Sequence, residues 1–206
     1  MDGEEFSNIA HCQTVSVARG ILSQMRKHEE TAGDGRQEGD LKKRAPWLRG
    51  PLPLSCEGCR FELPMDLKVL ESLSVMIYLS NYCIVSSRRK YLFKTTFVKA
   101  DTDLDGIINS YEIRQALLDL YSHSINNECL DDILDIIDCK IGSVFDRNQF
   151  AALSAFSERY LCKRYHTTKE INASKELLER TDFAGLKAKL EGYHIPPKLV
   201  RALLII

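Results

Sequence analysis

Hydrophobic residues recur every three or four positions through most of the chain after residue 64, the spacing that places them on one face of an α-helix. This spacing predicts five longer helices, at 65–85, 88–100, 111–122, 127–137 and 150–165. No segment alternates hydrophobic and polar residues for long enough to indicate an extended β-sheet. The pattern therefore predicts an all-α fold.

Shorter helices are predicted in the tail of the chain. Asp182 can cap a helix that ends before Gly192, and Pro196 and Pro197 can begin a final helix. That helix is rich in aliphatic residues, so we expect it either to complete the core of its own domain or to bind another protein. Its aliphatic residues are Leu199, Val200, Leu203, Leu204, Ile205 and Ile206.

The first 64 residues differ in character from the rest. A loose helical pattern runs from Phe6 to Met25, and residues 26–44 are almost all charged or small. Prolines keep the segment 45–64 irregular. The chain is therefore predicted to have three regions: an N-terminal helix with a flexible charged and proline-rich linker at 1–64, a helical domain at 65–165, and a helical tail at 166–206.

Carboxylates alternate along the segment between the second and third predicted helices, DTDLDGIINSYE at 101–112. Aspartates occupy its first, third and fifth positions, Gly106 the sixth and Glu112 the twelfth. This spacing matches the calcium-loop pattern D-x-[DN]-x-[DN]-G-x5-E at every specified position. Calcium takes six to eight oxygen ligands, and a glycine at the sixth position permits the sharp turn that brings them together.

The loop and its flanking helices resemble the EF-hand family. Phe93 and Phe97 before the loop, and Ile113 and Leu117 after it, have the spacing of inward helix faces. The resemblance implies one calcium ion at this loop. The ligands that it implies are Asp101, Asp103, Asp105, the Ile107 backbone carbonyl, Asn109 through a water molecule, and both carboxylate oxygens of Glu112.

A second segment of the same length, DCKIGSVFDRNQ at 138–149, stands where a paired EF-hand would be expected. It lacks most ligands, because Lys140, Gly142 and Gln149 replace the third, fifth and twelfth oxygen donors. We therefore predict a degenerate EF-hand that supports the first one structurally without binding calcium. Aligning the eighth positions places Phe145 opposite Ile108, and predicts a short antiparallel bridge between the two loops.

The predicted all-α domain is therefore an EF-hand pair with extra N-terminal and C-terminal helices. The first EF-hand covers about 88–122 and the degenerate one about 126–160. The resemblance spans under half of the chain, and the loop at 101–112 is its most specific motif.

Two cysteines, Cys56 and Cys59, are separated by two residues, the spacing of zinc sites and of redox pairs. The other cysteines are single in the sequence, and no βαβ pattern surrounds the pair. Two free thiols in an irregular segment are the simpler interpretation. A thiol redox or zinc protein is kept as an alternative to the calcium protein.

Composition narrows the functional classes. The chain has 28 Lys and Arg against 29 Asp and Glu, so no basic field indicates nucleic acid as a partner. No apolar run is long enough to span a membrane, and the N-terminus does not have the pattern of a secretory signal. Seven cysteines without such a signal indicate free thiols in a reducing cytoplasm. No phosphate-binding loop, nucleophile elbow or histidine metal motif is present, so we do not expect an enzyme.

Two modes of action agree with these observations. The preferred one is a calcium-binding interaction module or adaptor with a fixed protein partner. The alternative is a sensor that exposes a hydrophobic groove to a target when calcium binds. Promiscuous sensors line their adaptable grooves with methionine. The four methionines of this chain all lie outside the predicted EF-hands. The resemblance also permits a cytoskeletal or ciliary location without indicating one.

Overall fold

The computed structural model of the protein describes residues 54–206, which are mostly helical. The α-helices are α1 Val75–Tyr82, α2 Ser87–Ala100, α3 Ser110–Tyr121, α4 Asn127–Ile136, α5 Arg147–Tyr165, α6 Thr168–Ser174, α7 Leu177–Phe183, α8 Leu186–Lys189 and α9 Pro197–Ile205. Two 3-10 helices cover Cys56–Gly58 and Leu67–Ser72. The strands are β1 Cys59–Phe61, β2 Cys83–Val85, β3 Ile108–Asn109 and β4 Val144–Phe145. The helical class predicted from the sequence is confirmed.

The predictions for the N-terminal helix, the charged linker and the irregular segment up to residue 53 lie outside the described residues. Residues 54–64, also predicted to be irregular, contain strand β1, which pairs antiparallel with β2. Phe61 in this strand is fully buried. Packing therefore extends towards the N-terminus beyond the predicted domain start near residue 65.

The centre of the fold is two consecutive helix–loop–helix units, α2 to α3 and α4 to α5. Strands β3 and β4 join the two loops as an antiparallel pair in which Ile108 lies opposite Phe145. This is the register predicted from the sequence, and both side chains are buried. Asn126 caps α4 by accepting a hydrogen bond from the backbone N–H of Cys129.

Helix α5 organises the core, since it contacts α1, α2, α4, α6 and α9. Its apolar residues Phe150, Leu153 and Phe156 are fully buried. The same helix also buries two charged residues, Glu158 and Arg159. These two cannot be recognised as buried from the sequence pattern, which places charged residues at the surface by default.

The prediction of a single helix at 65–85 is wrong. The segment forms the 3-10 helix at 67–72, then α1, then β2. Ser74 interrupts the helix because its side chain accepts a hydrogen bond from the N–H of Ile77 and so starts α1 afresh. Strand β2 ends α1, and its pairing with β1 is a contact that local sequence does not reveal.

The tail follows the prediction in its last helix and differs before it. Asp182 lies inside α7, and the following helix α8 starts after Gly185, whose φ of 63° is accessible to glycine without strain. Helix α9 packs against α1, α4 and α5, with Leu199 and Leu203 buried. In the structure the tail therefore completes the core of its own domain.

Candidate metal centre

The loop between α2 and β3 is positioned by the ends of its two helices. Asp101 follows the last turn of α2, and its backbone N–H donates to the Phe97 carbonyl at 2.9 Å. At the other end, Asn109 caps α3 by accepting from the backbone N–H groups of Tyr111 and Glu112. These two caps fix the start and the end of the predicted ligand segment.

The structure brings three of the predicted ligands together. One carboxylate oxygen each from Asp101, Asp103 and Asp105 lie within 4.8 Å of one another. Within residues 54–206, no other group of three or more His, Cys, Asp or Glu residues has its ligand atoms this close. Three like charges at this separation repel one another, and a divalent cation among them would remove that repulsion.

Asp101 supplies the observation that points most directly to a cation. Asp101 is 8% exposed, and its Oδ1 atom is buried without a hydrogen-bond partner. Its other oxygen, Oδ2, accepts from the backbone N–H of Gly106 at 3.1 Å. A buried carboxylate oxygen without a donor is costly, and a calcium ion is a partner that suits a hard oxygen ligand.

The turn of the loop depends on Gly106. Its φ of 82° lies in the left-handed region, where a residue with a Cβ is strained. Leu104 also has a positive φ, of 60°, and its side chain is exposed. Asp105 Oδ1 accepts from the N–H of Ile107 at 2.9 Å, which closes the turn. The backbone of Ile107 is thus hydrogen-bonded to Asp105, the last aspartate of the cluster.

Glu112 belongs to the same loop, but its carboxylate is bound to two donors outside the aspartate cluster. Oε2 accepts from the Asn109 backbone N–H at 3.0 Å, and Oε1 accepts from the Thr102 hydroxyl at 2.8 Å. The bond from Asn109, followed by that from Thr102, lowers the pKa of Glu112 below its usual value. The carboxylate is therefore ionised at neutral pH. To bind a metal together with the aspartates it must leave these donors.

Asn109 likewise uses its side-chain oxygen as the cap of α3, at 2.9 Å from the Tyr111 N–H. A direct bond from that oxygen to a metal would compete with the cap. The predicted role of Asn109, through a bridging water molecule, makes no such demand. Thr102 was not predicted to take part, because the calcium-loop pattern leaves its position unspecified.

In the second loop, two lysine ammonium groups lie beside the first residue, the position that Asp101 has in the first loop. Asp138, its first residue, accepts from Lys140 Nζ at 3.0 Å and from Lys198 Nζ at 2.8 Å. Lys198, followed by Lys140, lowers the pKa of Asp138 below its usual value. Lys198 comes from α9, some 60 residues away, so no local sequence signal could identify it.

The twelfth position of the second loop, Gln149, keeps the structural part of the role that Glu112 has in the first. Gln149 Oε1 accepts from the Asp146 N–H at 2.9 Å, while the Asp146 side chain caps α5. Both loops therefore end in the same reciprocal cap. Only the first has a carboxylate at this position.

The two cysteines of the CxxC motif have separate environments. Cys59 donates its thiol to the Ala155 carbonyl at 3.7 Å. Cys56 packs with Cys162 and Ile171 in a small buried cluster. In the part of the chain that the structure describes, neither thiol lies in a group of three or more potential metal ligands, so the zinc alternative gains no support.

The chain was compared with known protein families, curated proteins and solved structures, and no match was found. No described helix has the length and apolar character needed to cross a bilayer. The loop at 101–112 is therefore the main basis for a functional assignment.

Proposed function

We propose that the protein binds one calcium ion through the loop at 101–112 and acts as an interaction module of the EF-hand type. The observation that carries this proposal is the buried Asp101 Oδ1 without a donor, within the cluster of three aspartates. The predicted ligand set would supply carboxylate, carbonyl and water oxygens, which a hard cation prefers over nitrogen and sulfur. Glu112 would complete the set by exchanging the Asn109 and Thr102 donors for the ion.

The second loop is proposed to be structural. Lys140 and Lys198 already neutralise Asp138, and a calcium ion there would have to displace two ammonium groups. Its contribution is the bridge through Phe145, which buries Ile108 of the first loop and limits the positions that loop can take.

A fixed role for calcium is preferred to a switch that opens a groove. Helix α9 already covers the apolar surface of α4 and α5, with Leu203 1% exposed. Salt bridges from Lys198 and Arg201 to acidic residues of α4 hold the same helix in place. A sensor would have to displace α9 to offer that surface to a target.

The fixed and the sensor roles differ in an anilinonaphthalene sulfonate (ANS) binding experiment. If calcium has a fixed role, ANS fluorescence with the full chain should be nearly the same in calcium and in chelator. A Leu203→Asp variant should displace α9 and raise fluorescence in both conditions, because it places a charge in the core. Leu204→Asp is the matched control, since Leu204 is 38% exposed. A strong fluorescence increase on adding calcium to the parent chain would instead support the sensor.

A further inference from the structure

The cluster of Cys56, Cys162 and Ile171 lies apart from the main hydrophobic core. Cys56 is in the 3-10 helix at 56–58, which packs against α5 and α6, and Cys162 is in α5. Cys56 is 7% exposed and Cys162 is fully buried. Two thiols 106 positions apart in sequence are therefore neighbours in the fold, although the CxxC spacing had drawn attention to a different pair.

The surroundings of Cys56 favour a thiolate. Cys162 packs beside Cys56, where its thiol can donate a hydrogen bond to the Cys56 sulfur, and Arg159, His166 and Lys175 add positive charge around that sulfur. The hydrogen bond is the largest effect, and together these groups lower the pKa of Cys56 to about 6. Burial of the thiol acts against these groups and raises its pKa, and the Glu158 carboxylate on α5 repels the thiolate. Donation to Cys56 and burial raise the pKa of Cys162 well above its usual range, so it stays a neutral thiol.

Arg159 holds the 3-10 helix at 56–58 in place through hydrogen bonds to backbone carbonyls. Its guanidinium Nη2 donates to the Cys56 carbonyl at 3.0 Å and to the Cys59 carbonyl at 3.1 Å. Its Nη1 is 2.5 Å from the Glu179 carboxylate. The positive charge is thus held beside the 3-10 helix by bonds that do not use the Cys56 sulfur.

We propose that Cys56 is a site of oxidation by hydroperoxides, and that Cys162 resolves the oxidised sulfur to a disulfide. A low-pKa thiolate with a second thiol packed beside it has the components that this two-step chemistry needs. The disulfide would tie the 3-10 helix at 56–58 to α5. Cys59 is not proposed as the oxidised residue, because its thiol donates to the Ala155 carbonyl.

The reaction balances with hydrogen peroxide as the oxidant. In the first step the Cys56 thiolate attacks one peroxide oxygen, an S–O bond forms, the O–O bond breaks, and hydroxide leaves. In the second step the Cys162 sulfur attacks the sulfenic sulfur, and the thiol proton leaves with the sulfenic oxygen as water. The two sulfurs lose two electrons in total, and the peroxide is reduced to hydroxide and water.

Peptide mapping after treatment of the full chain with hydrogen peroxide tests this proposal. After alkylation of the remaining thiols, tryptic digestion without reductant should yield peptide 50–60 linked to peptide 160–163, and dithiothreitol should separate them. Peptide 50–60 also contains Cys59, so the assignment uses variants. The link should persist in Cys59→Ser and disappear in Cys56→Ser. In Cys162→Ser, dimedone should label Cys56, because the sulfenic acid has no resolving thiol.

The pH dependence of alkylation provides a second readout that needs no oxidant. Because the pKa of Cys56 is about 6, its rate should rise by only about 10% between pH 7 and pH 8. The control is Cys139, which burial gives a raised pKa, and its rate should rise about tenfold over the same interval. A missing 56–162 link in the Cys59→Ser chain would overturn the proposal. A rate at Cys56 that rises as steeply as at Cys139 would overturn it as well.

Discussion

Glu112→Gln should weaken calcium binding on the order of a hundredfold or more, because it removes one negative charge and the two-oxygen ligand from the loop. Calorimetry on the parent chain should give one ion per chain. The variant should give no measurable heat at concentrations where the parent loop is saturated.

The structure makes this substitution unusually selective. Glu112 also caps α3, and a mutation that broke the cap could disturb the loop for a different reason. Gln149 forms the equivalent reciprocal cap in the second loop with an amide oxygen. Glutamine at 112 can therefore preserve the helix start while removing the proposed metal ligand.

The control reverses the change in the second loop. Gln149→Glu should leave the calcium stoichiometry at one ion per chain, because Lys140 and Lys198 still form ion pairs with Asp138. Two ions bound to the parent chain, or unchanged affinity in Glu112→Gln, would contradict the assignment of a single calcium-binding loop.

Arg159→Ala should lower the free energy of unfolding by about 3–5 kcal/mol. Arg159 is fully buried and makes an ion pair with Glu179, which is 1% exposed. Alanine would leave a buried carboxylate without its cation and would remove the guanidinium donor from the backbone carbonyls of Cys56 and Cys59. Urea denaturation followed by circular dichroism measures the loss.

Two further variants identify the cause of the stability loss in Arg159→Ala. Arg164→Ala removes an exposed pair with Glu128, at 3.3 Å, and should cost less than about 1 kcal/mol. Replacing both partners, Arg159→Met with Glu179→Leu, should be less destabilising than Arg159→Ala alone, because no unpaired charge remains. A loss below about 1 kcal/mol for Arg159→Ala would show that the buried pair is not needed for stability.

The features predicted correctly from the sequence are those that local residues determine. The helices around both loops follow from apolar spacing, and the register of Ile108 with Phe145 follows from aligning two segments of equal length. The aspartate cluster follows in the same way, because Asp101, Asp103 and Asp105 lie within five residues of one another. The position of Gly106 in the turn is part of the same local pattern.

The features that were missed depend on residues distant in sequence. Strand β2 forms because β1 pairs with it, and Lys198 reaches Asp138 from the final helix. Arg159 and Cys162 meet Cys56 across more than 100 positions. Periodicity cannot predict which charged residue will be buried with a partner, since that depends on tertiary packing. The break at Ser74 is an exception, because serine before an apolar run is a local cap signal.

The most direct test of the proposed calcium site is the amide resonance of Gly106 in ¹H–¹⁵N NMR spectra during a calcium titration. Its N–H donates to Asp101 Oδ2, so an ion bound to Asp101 should polarise this hydrogen bond and shift the resonance. Gly142 has a similar backbone φ of 87° in the second loop and is the control within the same molecule. The proposed site predicts a large Gly106 shift that is complete at one equivalent, with Gly142 nearly unchanged. An unmoved Gly106 resonance, or an equal shift at Gly142, would contradict it.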